Sequence, residues 1–140
     1  MDWQKEKCVM VIDEKLPAGM IANTAAILGI TLGKELPGMV GAEVTDQSGS
    51  KHLGITEFPV PILQGSPQII RRIRERLRQP DFQDLTAVDF SDLARSCKTY
   101  EEFTEKMGRV PESDLRYLGI AICGAKKKVN RLTGSIPLLR

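Results

Sequence analysis

Cys8-Val9-Met10-Val11-Ile12-Asp13 is an unbroken apolar run closed by a carboxylate, and its reading decides the fold. A strand with one wet face alternates apolar and polar residues, whereas a run that is apolar throughout marks a strand covered on both faces. Leu118-Gly119-Ile120-Ala121-Ile122-Cys123-Gly124 is a second such run near the other end of the chain. Strands of this kind belong in the middle of a sheet, so the two runs are expected to be central neighbours. Helices must then cover the sheet.

After the first run, Leu16-Pro17-Ala18-Gly19 turns the chain, with Pro17 suited to a helix start. A helix is predicted from Met20 to about Lys34, apolar on more than one face and therefore largely buried. The segments 42–46 and 51–55 flank Gln47-Ser48-Gly49-Ser50 as a β-hairpin. Pro59-Val60-Pro61-Ile62-Leu63 is extended, and its prolines confine it to an edge or a strand end. Ser66-Pro67 supplies a cap and a first-turn proline for a helix to about Arg78, with Ile69, Ile70, Ile73 and Leu77 on one stripe. Residues 84–90 form a further strand, Thr99-Tyr100-Glu101-Glu102 opens a short helix as a capping box, and residues 126–134 are a basic turn or short helix. Strands and helices alternate without a repeat or a linker. A single α/β domain over residues 1–140 follows, a mixed sheet sandwiched by helices.

The totals narrow the function classes. Of 140 residues 41% are hydrophobic and 27% charged, an ordinary globular balance, and a net charge of +2 implies no polyanion partner by itself. No apolar run nears the roughly 20 residues needed to span a bilayer, so no membrane partner is expected. Residues 1–7 mix charge signs and lead straight into a strand, unlike a signal peptide. Cys8, Cys97 and Cys123 are odd in number and form no Cys-x-x-Cys pair. They argue against a disulfide framework or a zinc site, and for a reducing, cytoplasmic setting. Neither a metal nor a cofactor is expected.

The junction from Asp13 to Thr24 is the first candidate site. It joins the carboxyl end of a buried strand to the amino end of a helix, where free N–H groups favour anions. Asp13, Gly19, Asn23 and Thr24 are its candidate binding residues for a small anionic or polar ligand; the alternative is that they serve only the scaffold. The second candidate is basic. Arg71, Arg72, Arg74, Arg76 and Arg78 face one acid, Glu75, on a single helix, and Lys126, Lys127, Lys128 and Arg131 cluster further on. A solvated face is the leading reading, since no aromatic rings interleave to stack bases. Weak, sequence-independent RNA contact through Arg72, Arg76 and Lys127 is the alternative. His52, the only histidine, reads as an exposed strand residue, and Cys123 as a buried thiol, with a nucleophile as its alternative.

Two stretches carry a family resemblance. Val11-Ile12-Asp13, Leu16-Pro17 and Ile21-Ala22-Asn23-Thr24-Ala25-Ala26 resemble the start of the DUF 2000 family of uncharacterised domains. Tyr117-Leu118-Gly119-Ile120-Ala121 and Val129-Asn130-Arg131-Leu132-Thr133-Gly134 resemble its end, and also the end of type II peptidyl-tRNA hydrolases. The resemblance implies a peptidyl-tRNA hydrolase II-like domain, a three-layer α/β/α sandwich with a four-stranded mixed sheet. Those hydrolases open their first helix with a Lys-Gly-Lys-Ile-Ala-Ala-Gln type motif. The matching stretch here is Ala18-Gly19-Met20-Ile21-Ala22-Asn23-Thr24, without either lysine or the glutamine. Their Asp-Ala-Gly-Arg-Thr loop before the last strand is replaced by Arg109-Val110-Pro111-Glu112-Ser113-Asp114. A missing cation at a developing oxyanion is worth about 3 kcal/mol of barrier. No catalytic residue is therefore assigned, and little or no peptidyl-tRNA hydrolysis is expected. Hydrolysis of an acyl or peptidyl ester, with Asp114 as a replacement acid, and a structural homodimer are the alternatives.

Overall fold

A computed structural model describes residues 2–140. In chain order its elements are β1 (Glu6–Asp13), α1 (Ala18–Glu35), β2 (Val44–Thr45), β3 (Lys51–His52), β4 (Ile62–Gly65), α2 (Pro67–Leu77), β5 (Thr86–Ser91), α3 (Asp92–Arg95), α4 (Tyr100–Met107), β6 (Tyr117–Ala125) and α5 (Lys126–Thr133). Single 3-10 turns at Pro37–Met39, Pro80–Phe82 and Glu112–Asp114 join some of them. Four strands form a mixed sheet in the order β4-β1-β6-β5. The two apolar runs are its central pair, antiparallel over Glu6–Ile12 and Gly119–Ala125. The Pro-rich segment ends in β4, an edge strand parallel to β1. β2 and β3 form a separate two-stranded hairpin. This is the expected α/β fold with a four-stranded mixed sheet.

Alternation along the central strands builds a core on each side. Val9, Val11, Ile120 and Ile122 pack with Ile70, Ile73 and Leu77 of α2 and Val129 and Leu132 of α5. Cys8, Met10, Ile12, Ala121 and Cys123 point the other way, onto Leu28 and Leu32 of α1. Burying a Val, Leu or Ile side chain contributes about 1.5–3 kcal/mol, so these paired strands anchor the domain. Gly119 allows α1 to come close: a Cβ there would sit 2.6 Å from Thr24 Cγ2 and 3.1 Å from Leu28 Cδ1.

Two expectations are corrected. α1 is not buried on several faces. Only Thr24, Leu28 and Leu32 are fully buried, and Ile30 is 74% exposed. A helix that covers a sheet from one side hides a single i, i+4 stripe, and its alanines on the other faces are indifferent to water. Nor are the cysteines all free: Cys8 and Cys123 form a disulfide. They are register partners on β1 and β6 although 115 residues apart, a juxtaposition invisible to local spacing. Cys97 is the free thiol. With its sulfur bonded and buried, Cys123 is neither a free thiol nor a nucleophile. Disulfides persist in oxidising surroundings, so the cysteine argument for a cytoplasmic setting falls away. Among the described residues no helix is long and apolar enough to cross a membrane.

Candidate ligand cleft at the strand ends

Because β1 and β4 run parallel, their carboxyl ends stop side by side, with Asp13 opposite Gly65. The Glu14 N–H donates to the Gly65 carbonyl at 3.1 Å and ties the two exits together. Gly65 has no room for a side chain, since its Cβ would lie 2.6 Å from Val11 Cγ1. The chain then enters α2 through Ser66, whose Oγ accepts from the Ile69 N–H at 3.1 Å, followed by Pro67 in the first turn. The crevice outside such strand ends is where open α/β sheets bind ligands.

Two adjoining hollows occupy that crevice and share Glu14, Gly65 and Ser66. The larger, about 480 Å³, is bounded by Arg72, Ile73 and Arg76 of α2, Leu132 of α5 and the segment Ser135-Ile136-Pro137. The Gln64 N–H donates to Pro137 O at 2.9 Å, and the Leu139 N–H to Ile62 O at 2.9 Å, which hold that segment along β4. The smaller hollow, about 390 Å³, is lined by Asp13, Lys15, Arg71, Leu115 and Arg116. Together the hollows gather Lys15, Arg71, Arg72, Arg76 and Arg116 against Asp13 and Glu14.

The helical period splits the four arginines of α2 and Arg78, which caps its end. Arg71 donates to both carboxylate oxygens of Glu112 at 3.0 Å and to the Leu115 carbonyl. Arg74 pairs with Asp89 at 3.5 Å, and Arg78 lies 3.9 Å from Glu112. The Tyr117 hydroxyl donates to Glu112 Oε1 at 2.9 Å. That bond, with the charges of Arg71 and Arg78, holds the Glu112 carboxyl below the usual glutamate range despite some desolvation. Burial raises the Tyr117 phenol. Arg72 and Arg76 point elsewhere, to the larger hollow. Arg76 is braced by the Arg131 carbonyl at 3.1 Å and lies over the Phe82 ring at 5.6 Å. Arg72 makes no ion pair or hydrogen bond among the described residues.

The residues proposed from sequence do not all meet. Asp13 reaches the smaller hollow; it is 2% exposed, and its Oδ1 accepts from the Lys15 N–H at 3.0 Å. Gly19 and Asn23 are exposed on α1, and Thr24 is buried, its hydroxyl donating to the Met20 carbonyl at 2.8 Å. None of these three lines either hollow. Arg72 and Arg76 share the cleft, and Lys127 is exposed on α5, which packs on the same side of the sheet as α2. Asp114 is exposed in the Glu112–Asp114 turn and lines neither hollow. His52 is exposed and bonded to Asp46 at 2.8 Å. Sequence reasoning missed Gly65, Ser66 and Arg116 as cleft residues. Ser66-Pro67 was a visible signal for a helix start, but its place beside Asp13 depends on the parallel pairing of β1 and β4.

The whole fold has a solved counterpart. The protein of unknown function Atu0240 from Agrobacterium tumefaciens strain C58 superposes with a TM-score of 0.85, over 96% of this chain and 97% of that one, at 15% identity. At that identity the likeness speaks for the fold alone. No curated protein matches the chain. The family model described as protein of unknown function (DUF2000) matches residues 6–140. The chain belongs to the DUF2000 family. Within this DUF2000 chain the match begins at the first residue of β1 and takes in both hollows and every residue that lines them.

Proposed function

We propose that this DUF2000 domain binds a small anionic or polar ligand, and that the ligand sits in the strand-end cleft between Asp13 and the start of α2. One observation carries the reading: Arg72 and Arg76 turn into a concave space while Arg71, Arg74 and Arg78 are taken up by carboxylates. A guanidinium with no carboxylate partner favours an oxyanion through its fork of donors. The reading includes no hydrolysis. The first-helix lysines of the peptidyl-tRNA hydrolases have no counterpart here, and Asp114 stands outside the cleft.

Calorimetric titration with inorganic phosphate and with acetate tests this reading. The Arg72→Gln/Arg76→Gln double variant is expected to bind roughly tenfold or more weakly, the scale of a lost charge-assisted hydrogen bond. Asn23→Ala, on the exposed face of α1, addresses the start of the first helix. Equal binding by parent and double variant, or a loss confined to Asn23→Ala, would move the ligand away from α2.

A structural homodimer is the second reading, favoured by one feature. Leu53 and Ile55 beside the β2–β3 hairpin are 85% and 80% exposed, with Val44 also largely exposed. Such apolar exposure on a two-stranded ribbon suits a second protein surface. Sedimentation equilibrium of the parent and of Leu53→Ser/Ile55→Ser decides between dimer and monomer.

A further inference from the structure

Building on that anion-binding reading, we infer that the larger hollow takes a linear aliphatic chain, so that the ligand is an aliphatic carboxylate with its head at Arg72 and Arg76. The floor of the hollow is made of Ile73 and Leu132, and its sides include the half-buried Ile69 and Ile136. All four are branched aliphatic side chains. No aromatic ring lines either hollow, so a nucleobase finds no face to stack on. A volume of about 480 Å³ lies within the range of sites that enclose whole small molecules, and a bare oxyanion leaves most of it empty.

The hollow is amphipathic, with Gln64, Ser66 and Ser135 beside its aliphatic residues, and the two cations are set to take a head group there. Arg72 and Arg76 lie one turn apart on α2, on the same side as Ile69 and Ile73. Arg76 is already oriented by the Arg131 carbonyl and the Phe82 ring, whereas Arg72 is unengaged among the described residues. Glu14 at the junction of the hollows opposes negative charge. It penalises a doubly charged phosphate more than a singly charged carboxylate, which decides between the two oxyanions. An aliphatic chain lying against the half-buried Ile69 and Ile136 then replaces water there and gains affinity with length.

The test is a titration of isotopically labelled full chain with acetate, butyrate, hexanoate and octanoate, followed by methyl and amide NMR and by calorimetry. Octanamide serves as the uncharged partner and inorganic phosphate as the chainless one. Affinity is expected to rise about threefold to fourfold per methylene, with methyl shifts at Ile69, Ile73, Leu132 and Ile136. Octanamide should bind at least roughly tenfold more weakly than octanoate. Ile69→Ser, at a half-buried position, should flatten the dependence on chain length, lowering octanoate affinity by a larger factor than acetate affinity. Ile136→Ser is a second variant with the same expectation. If acetate and phosphate perturb the cleft but octanoate binds no tighter than acetate, the aliphatic inference is overturned and the anion reading stands. If neither acetate, phosphate nor octanoate perturbs the cleft, both are overturned. Octanoate shifts confined to Leu53 and Ile55 on the hairpin arm, or octanamide binding as tightly as octanoate, would also overturn the inference.

Discussion

The two sides of the sheet are built to different ends. On the α1 side, two groups that could have served a site are consumed by structure: Cys8 is bonded to Cys123, and the Thr24 hydroxyl is spent on its own helix. On the α2 and α5 side the core is equally apolar, but α2 is charged. Arg71 and Arg74 pair with Glu112 and Asp89, with Arg78 at the cap 3.9 Å from Glu112, and Arg72 and Arg76 open onto a hollow. A closed face holds the fold, and an incompletely neutralised one is free to meet a ligand. Polar residues in the middle of a helix are thus a poorer guide to a site than charges left without a partner.

The comparison is most easily broken by attacking each side in turn. The largest effect belongs to the disulfide, which closes a loop of more than a hundred residues. The Cys8→Ala/Cys123→Ala variant should lose about 4 kcal/mol in urea unfolding under oxidising conditions. Because both cysteines are at most 1% exposed, the thiols are counted after unfolding without reductant, where one should react, Cys97. Finding three would remove the closed face from the account.

Glu112→Gln comes next, on the opposite side. It takes a charged partner from Arg71 and Tyr117 at a site about a third exposed, so the expected cost is about 2 kcal/mol rather than that of a fully buried pair. The effect must depend on pH with a definite sign. The folded Glu112 carboxyl titrates below its unfolded value, chiefly through the Tyr117 hydroxyl. Its contribution is therefore fully present above the ordinary glutamate value of about 4.3 and is lost as pH falls through the lower folded value. The stability gap between parent and Glu112→Gln should be flat near neutrality and close in acid. A gap that widens in acid contradicts the pairing.

Gly119→Ala returns to the α1 side, where the added methyl meets Thr24 and Leu28. Overpacking of this kind is expected to cost about 1–3 kcal/mol. Arg72→Gln should change stability least, by less than about 0.5 kcal/mol, because no structural contact is lost. A larger loss would mean that Arg72 belongs with its paired neighbours and not with the cleft.

Much of this fold was legible in the sequence for a simple reason. Residues 8–13 and 118–124 are apolar at nearly every position, and only the centre of a covered sheet accommodates that. The Ser66 cap and the Thr99 capping position were equally plain, since both are local hydrogen bonds, at 3.1 Å in each case. The Cys8–Cys123 bond was hidden because it follows from register, which no local pattern records. The depth of α1 was misjudged because alanine is at home on either side of a helix. At the candidate site, Asn23 and Thr24 looked like a pair but are adjacent on a helix, so one faces water and the other the sheet. The same geometry separates Arg71 from Arg72. That division was readable from the 3.6-residue period, but not which half would find carboxylates, because Glu112 and Asp89 arrive from distant segments.

The central claim is that the cleft beside α2, and not the start of α1, meets the ligand. An amide NMR titration with acetate compares the two regions in one experiment. The account predicts that the largest shifts fall on Arg72, Ile73 and Arg76, together with Gly65, Ser66 and Ile69, while Ala18, Gly19 and Asn23 stay still. Shifts centred on Ala18–Asn23 with the cleft residues unmoved would contradict it.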